Sequence, residues 1–392
     1  MCALFFCWRI EQAKGIIKLV YLETLFFTDK IHGRNLLLMK QIIVKSQTGN
    51  LQEALNKERI TSPSVLLLIS NNEQFEEHVA QLEAAFPGVP SIGCIDMSYD
   101  RATVEKGVMV VAYTEGVTGT ANVLEQVSSM PVKYIRRLQN DLGKINASAK
   151  NTVCINFCTG NDACVLTSMG SVLQNQKAVV TGGTGDAGKV SANGKIYEDS
   201  VAYALIKNNT GKVKVYKENI YQPSGDYRLI ASKTKKEGYF VGELNGRPAK
   251  QVYMDLVHIK DEKVIETQTF QNPLGVINGS DISIVAVKAP IGNGLSCYRA
   301  VKDSDVLMPL EAKGTFQVVE ETISQIKGDF SHVSAVFSVN CLFRYLYFQQ
   351  KGEWQKYLDM MGTLGCHAGL VGYGEHYNNQ FLNQTMSCVV FE

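Results

Sequence analysis

Polar residues gather in the last part of this chain at places where a buried strand should be apolar. Asn340, Cys341 and Arg344 directly follow the apolar run Val333 to Val339. Further on, Gly372-Tyr373-Gly374-Glu375-His376 is followed by Asn383-Gln384-Thr385, which opens a last apolar run, Met386 to Phe391. A thiol, a guanidinium, a carboxylate and amides at the ends of buried strands cost free energy unless they bind one another or a ligand. Asn340, Cys341, Arg344, Tyr373, Glu375 and Asn383 are therefore the expected ligand-binding residues. Arg344 and Glu375 could pair with each other, or clamp the two ends of an amino-acid-like zwitterion. Cys341, three residues before Arg344, could be a reactive or ligating thiolate or a buried structural cysteine.

Other chemistry finds less support. In an extended segment Tyr373 and Glu375 share a face and His376 points away, so His376 is expected in an exposed loop and not as a haem or metal ligand. Cys154, Cys158 and Cys164 crowd a short stretch, but their spacing matches no structural zinc pattern. No metal site is expected. Gly182-Gly183-Thr184-Gly185-Asp186 reads as a tight turn between strands, because no helix follows to aim its amides at a phosphate. No GxSxG occurs, and with no catalytic constellation in view the chain is not expected to be an enzyme. The enzymatic alternative would use Cys341 as nucleophile with His376 or His367 as base.

These residues need strands and helices to hold them. From Met39 the pattern alternates: strand Gln41 to Ser46, the continuous apolar run Ser64 to Ser70 that suits a strand buried on both faces, and a helix from Phe75 to Phe86 stopped by Pro87-Gly88. Short strands follow at Pro90 to Ile95 and Gly107 to Tyr113, then a helical region over Ala121 to Ile145 broken at Pro131. Thr152 to Phe157 reads as strand, Asp162 to Gln174 as helix and Lys177 to Thr181 as strand; Asn193-Gly194 signals a hairpin turn. Tyr203 to Asn219 is read as the bridge to a second half. That half has strands over Tyr227 to Leu244, a helix that Pro248 could start, and a β-rich meander through Leu310. It closes with a helix at Phe316 to Lys327, strand Val333 to Val339, and one helix from Arg344 to Gly362. No repeat is visible.

At 392 residues the chain suits two domains, and 45% apolar with 20% charged residues describes a folded protein. The expected fold is α/β to α+β, two domains each with a mixed β-sheet flanked by helices, over residues 39–215 and 216–392. A net charge of +1 gives no field to steer the chain onto nucleic acid or anionic membrane. No apolar run is long enough to insert into a bilayer. Ten scattered cysteines without a CxxC pair suit a reducing, cytoplasmic compartment. Residues 1–38 differ in pattern from the rest, and the expectation is a mis-called or disordered extension with the true start at Met39.

Several stretches together resemble the FIST-type sensory proteins. Pro90-Ser91-Ile92-Gly93-Cys94 looks like that family's P-x-x-G-C strand end, and Gly182-Gly183-Thr184-Gly185-Asp186 like its GG-x-x-D turn. Gly242 to Ala249 with Tyr253, Asn272-Pro273-Leu274-Gly275, and the C-terminal order Asn340-Cys341, Arg344, Gly372-Tyr373-Gly374-Glu375, Asn383-Gln384-Thr385 agree in sequence order. The chain departs at Phe343, where the family has glycine, and at Ile95-Asp96-Met97-Ser98, which counts against an N-terminal site. The resemblance implies FIST N-terminal-like and FIST C-terminal-like domains and a small-molecule sensor, its ligand an amino acid or similar metabolite. It implies signalling through a separate protein such as a kinase or chemoreceptor. No cofactor is expected, with haem as the alternative in a gas sensor; a ligand-independent protein–protein adaptor is the other alternative.

Overall fold

The computed structural model describes residues 38–173, 177–235, 238–278 and 281–392. The expectation for the N-terminal extension lies outside these residues, Leu38 apart. The fold is α+β: mixed sheets flanked by helices. Leu37–Glu392 forms one compact unit, and residue 215 falls inside the strand Val213–Glu218.

Three six-stranded sheets follow one plan, with a central parallel pair and two antiparallel strands beyond it on each side. The parallel pairs are Val65–Ser70 with Ser91–Ile95, Thr152–Cys158 with Val179–Thr184, and Ala335–Cys341 with His367–Gly372. Each pair needs a crossover, and each has a helical one. The first uses Phe75–Ala85, the second Asp162–Leu173, and the third Leu342–Lys351 with Trp354–Met361.

The apolar runs explain the layering. In the first unit Leu67 and Ile69 face a core shared by all three sheets, together with Val153, Ile155, Phe157, Phe337, Val339 and Leu370. Their neighbours Leu66 and Leu68 face the unit's own helix at Phe75, Val79 and Leu82. A strand covered on both faces can be apolar at every position, which is why these runs do not alternate.

The three units are linked in a ring. On leaving Ser91–Ile95 the chain enters Met97–Tyr99, which pairs with His367–Gly372 in the third sheet. After Val179–Thr184 it enters Asp186–Ala192, which pairs with Ser91–Ile95 in the first. After His367–Gly372 it enters Glu375–Tyr377, which pairs with Val179–Thr184 in the second. Asp96, Gly185 and the Tyr373-Gly374 step lie at the three crossings. Residues between Tyr221 and Ala312 build a seven-stranded and a three-stranded sheet with a separate core that includes Leu229, Tyr253, Val285 and Leu307.

Several local expectations change. The first part of Ala121 to Ile145 is strand Val117–Glu125, paired along its length with Ser200–Asn208; the helix proper is Ile135–Lys144. Ala121 and Val123 enter the shared core while Leu124 packs on the far side. Apolar spacing alone could not tell that two-sided burial from a helix. Tyr203 to Asn219 holds strands Ser200–Asn208 and Val213–Glu218. The single helix expected from Arg344 to Gly362 is two, broken where Gly352 takes φ 66°. No helix among the described residues is long and apolar enough to cross a membrane.

Candidate functional site

The strand Ala335–Cys341 delivers Asn340 and Cys341 to opposite sides of a wholly buried layer. Asn340 Nδ2 donates to the hydroxyls of Tyr99 at 2.7 Å and Tyr357 at 3.0 Å. Its Oδ1 accepts from Arg344, whose guanidinium also reaches the Glu218 carboxylate. Arg344 lies over the rings of Phe348 and Tyr357, at 5.1 and 4.9 Å. Arg344, Glu218 and Asn340 have no exposed surface. Burial works against the Arg344 charge, and Glu218 with Tyr357 more than restores it. Arg344 is therefore spent on Glu218, a residue the sequence reading did not name, and does not face Glu375 as a direct partner. Losing one member of such a buried pair typically costs about 3–5 kcal/mol. This half of the expected site joins the third sheet to its helices.

Glu375 is also fully buried, and its Oε2 accepts from the Thr385 amide at 3.1 Å and hydroxyl at 2.6 Å. Its Oε1 has no partner, and neither has Asn383 Nδ2. Burial pushes the Glu375 carboxyl up to about 8, against the opposing bonds from Thr385. Burial and then the nearby Glu375 charge hold the Cys341 thiol well above its usual range. Cys341 is thus held as a thiol beside the Glu375 carboxyl.

Tyr373 leaves this group. It is 47% exposed and sits at the third crossing, its amide donating to the Thr184 carbonyl at 2.9 Å. There it faces a crevice of about 250 Å³ that Asp96 and Asp186 also line. All three crossings thus contribute to one hollow, which lies beyond the carboxyl ends of parallel strands, where ligands bind in open α/β sheets. Asp96 is 8% exposed, and its Oδ2 is buried without a hydrogen-bond partner. Burial, then the Asp186 charge, push its carboxyl well above the normal range. Burial, Asp186 and Asp96 push the Tyr373 phenol up to about 12. Burial leads both shifts, and the neighbouring carboxylates add to it.

His376 is not in an exposed loop. It is fully buried, with Nδ1 2.7 Å from Asn156 Oδ1 and Nε2 2.8 Å from Asp162 Oδ1. The three crowded cysteines separate: Cys154 enters a helix-side core, Cys164 is exposed, and Cys158 alone turns toward Asp162. Asp162 in turn lines a larger cleft of about 740 Å³ with Arg299, Lys217, Tyr239 and Tyr298. The Gly182-Gly183 pair is not in a turn but within the strand Val179–Thr184. A Cβ at Gly183 would stand 2.3 Å from the Gly374 carbonyl oxygen, so glycine is required by the close approach of Glu375–Tyr377.

Residues 64–247 match the FIST N domain. This is a FIST-domain protein. The FIST family is a family of sensory domains implicated in signal transduction, and the match spans the first two crossings, at Asp96 and Gly185. No curated protein matches the chain. Among solved structures it is similar to a chorismatase at 9% identity, over 91% of this chain and 98% of that one, with a TM-score of 0.33. At that distance the likeness decides neither fold nor activity.

Proposed function

We propose that this FIST-domain protein is a sensor for a small metabolite carrying a protonated amine, of the amino-acid class, held in the crevice where the three crossings meet. The observation that carries the reading is Asp96, a buried carboxyl with an unpartnered oxygen in a hollow also walled by Asp186 and Tyr373. An ammonium group there would satisfy the orphaned oxygen and stabilise the charge that burial opposes. Lys106 at the rim is placed for the carboxylate end of a zwitterion. Occupancy would be passed to a separate signalling protein, because a ligand that tightens three crossings at once has different affinities for a closed and a loosened ring. Residues 248–392, with Glu375 and Thr385, would complete the FIST C-terminal-like half.

A thermal-shift and calorimetric screen of amino acids and simple amines tests this. At a hundred times its dissociation constant a ligand should stabilise the protein by about 2.7 kcal/mol. Binding should release a proton from Asp96, so affinity should rise with pH, and Asp96→Asn should abolish the response while leaving the fold. An amine that binds Asp96→Asn as tightly as wild type, or a screen without any hit, would sink the proposal.

A further inference from the structure

We infer that Cys158, Asp162 and His376 form a site for one divalent cation of the zinc class, with an open coordination position directed to the 740 Å³ cleft. It lies apart from the amine crevice and does not depend on that reading.

The three residues come from separate elements. Cys158 ends one strand, Asp162 opens the crossover helix after it, and His376 arrives more than two hundred residues later on Glu375–Tyr377. A sulfur, a carboxylate oxygen and a ring nitrogen, one from each, lie within 4.8 Å of one another. Donors that share an ion at about 2.0–2.3 Å occupy such a triangle, and a mixed sulfur, oxygen and nitrogen set suits zinc.

Hydrogen-bond accounting at His376 points the same way. Asn156 Nδ2 donates to the Thr181 carbonyl at 3.3 Å, which fixes Asn156 Oδ1 as the atom facing His376 Nδ1. Nδ1 must then carry the hydrogen of a neutral ring, and the Nε2 lone pair is aimed at the Asp162 carboxylate. Two electron-rich atoms at 2.8 Å need a proton or a metal cation between them. The rest of the surroundings is that of a held ligand set. Asn156 orients the ring through its far nitrogen, Thr184 donates its hydroxyl to Asp162, and the Gly160 amide donates to Cys158 Sγ at 3.4 Å. Asp162 alone of the three lines the cleft, with 13% of its side chain exposed. Three protein ligands and one position facing a cleft is the arrangement of a zinc that takes an exogenous ligand. On binding, the ion replaces the Cys158 thiol proton, which leaves to solvent. The competing occupant is a proton alone, giving a buried imidazolium–carboxylate pair.

The full chain should be produced with zinc in the medium, and separately refolded with zinc, then assayed for bound metal. One equivalent per chain is expected in both. Exchange for cobalt should give a four-coordinate spectrum with a thiolate-to-cobalt charge-transfer band. That band should vanish in Cys158→Ser and survive in Cys164→Ser, whose thiol is exposed on the neighbouring helix. X-ray absorption on the zinc-loaded wild type, which needs no variant to fold, should show one sulfur scatterer among nitrogen and oxygen. Protein that holds no stoichiometric zinc by either route, a cobalt spectrum without the thiolate band, or sulfur-free coordination would each overturn the site in favour of the proton.

Discussion

Glu375 shows how a single buried carboxyl ties this fold to pH. Its folded-state value of about 8 lies above the ordinary 4.5, so between those limits the native state holds a proton that the unfolded chain gives up. Rising pH through that window therefore favours unfolding, with the contribution present below 4.5 and lost toward and above 8. The size is on the order of 5 kcal/mol, an upper figure for a fully buried group. Urea unfolding from pH 5 to 8 should show this fall in wild type and a flatter profile in Glu375→Gln. An unchanged slope in the variant would mean that Glu375 is not the titrating group. His367 works in the opposite sense at lower pH. Burial lowers it to about 4, so its contribution is lost as pH falls from 6.5. The two windows overlap from 4.5 to 6.5, where the opposing slopes largely cancel, so stability is expected to peak within that overlap and to fall above it.

At the scale of elements, glycines decide where the sheets can close. The Gly374 carbonyl, just before strand Glu375–Tyr377, packs against Gly183 so tightly that a methyl group has no room. Gly183→Ala should force the two strands apart and cost about 1–3 kcal/mol, the usual range for overpacking. The same separation would displace His376 from Asp162, so hydrogen exchange at Glu375–Tyr377 should speed up more than at Met386–Phe391. Equal protection in both strands would show that the contact relaxes locally. The motif around Gly182 was visible in the sequence, but its reason was not. A pair of glycines before an aspartate reads as a turn until the partner strand, nearly two hundred residues away, is in place.

For the whole molecule, the ring of three units predicts shared stability. Each sheet contributes one face to a common core, and each unit lends a strand to the next. No unit can then open without exposing the others. Native-state hydrogen exchange should give Val65–Ser70, Thr152–Cys158 and Ala335–Cys341 the same protection free energy. Residues Leu229 to Leu307, with their own core, should form a second class. Distinct values for the three parallel strands would show that the ring comes apart in stages.

Much of the element order was legible along the chain, because burial on both faces leaves continuous apolar runs and Asn-Gly leaves a turn. Asn193 and Gly194 do take positive φ, 49° and 75°, between the paired strands Asp186–Ala192 and Lys195–Glu198. Polar residues near the C-terminus also announced a buried cluster, and Asn340, Arg344 and Glu375 are in it. Their partners were out of reach, since a hydrogen bond leaves no mark on spacing. Glu218 looks like any acidic residue at a strand end until Arg344 is folded onto it. Asp96 stood at a departure from the family pattern and counted against a site, whereas its place in the crevice comes from the crossing chains beside it. The sequence by itself determined which segments are apolar enough to be buried and which must turn. Only the tertiary structure decided which polar groups meet, because the three units resemble one another in backbone path and not in residue order. Their meeting point is set by strand pairing between segments far apart in the chain.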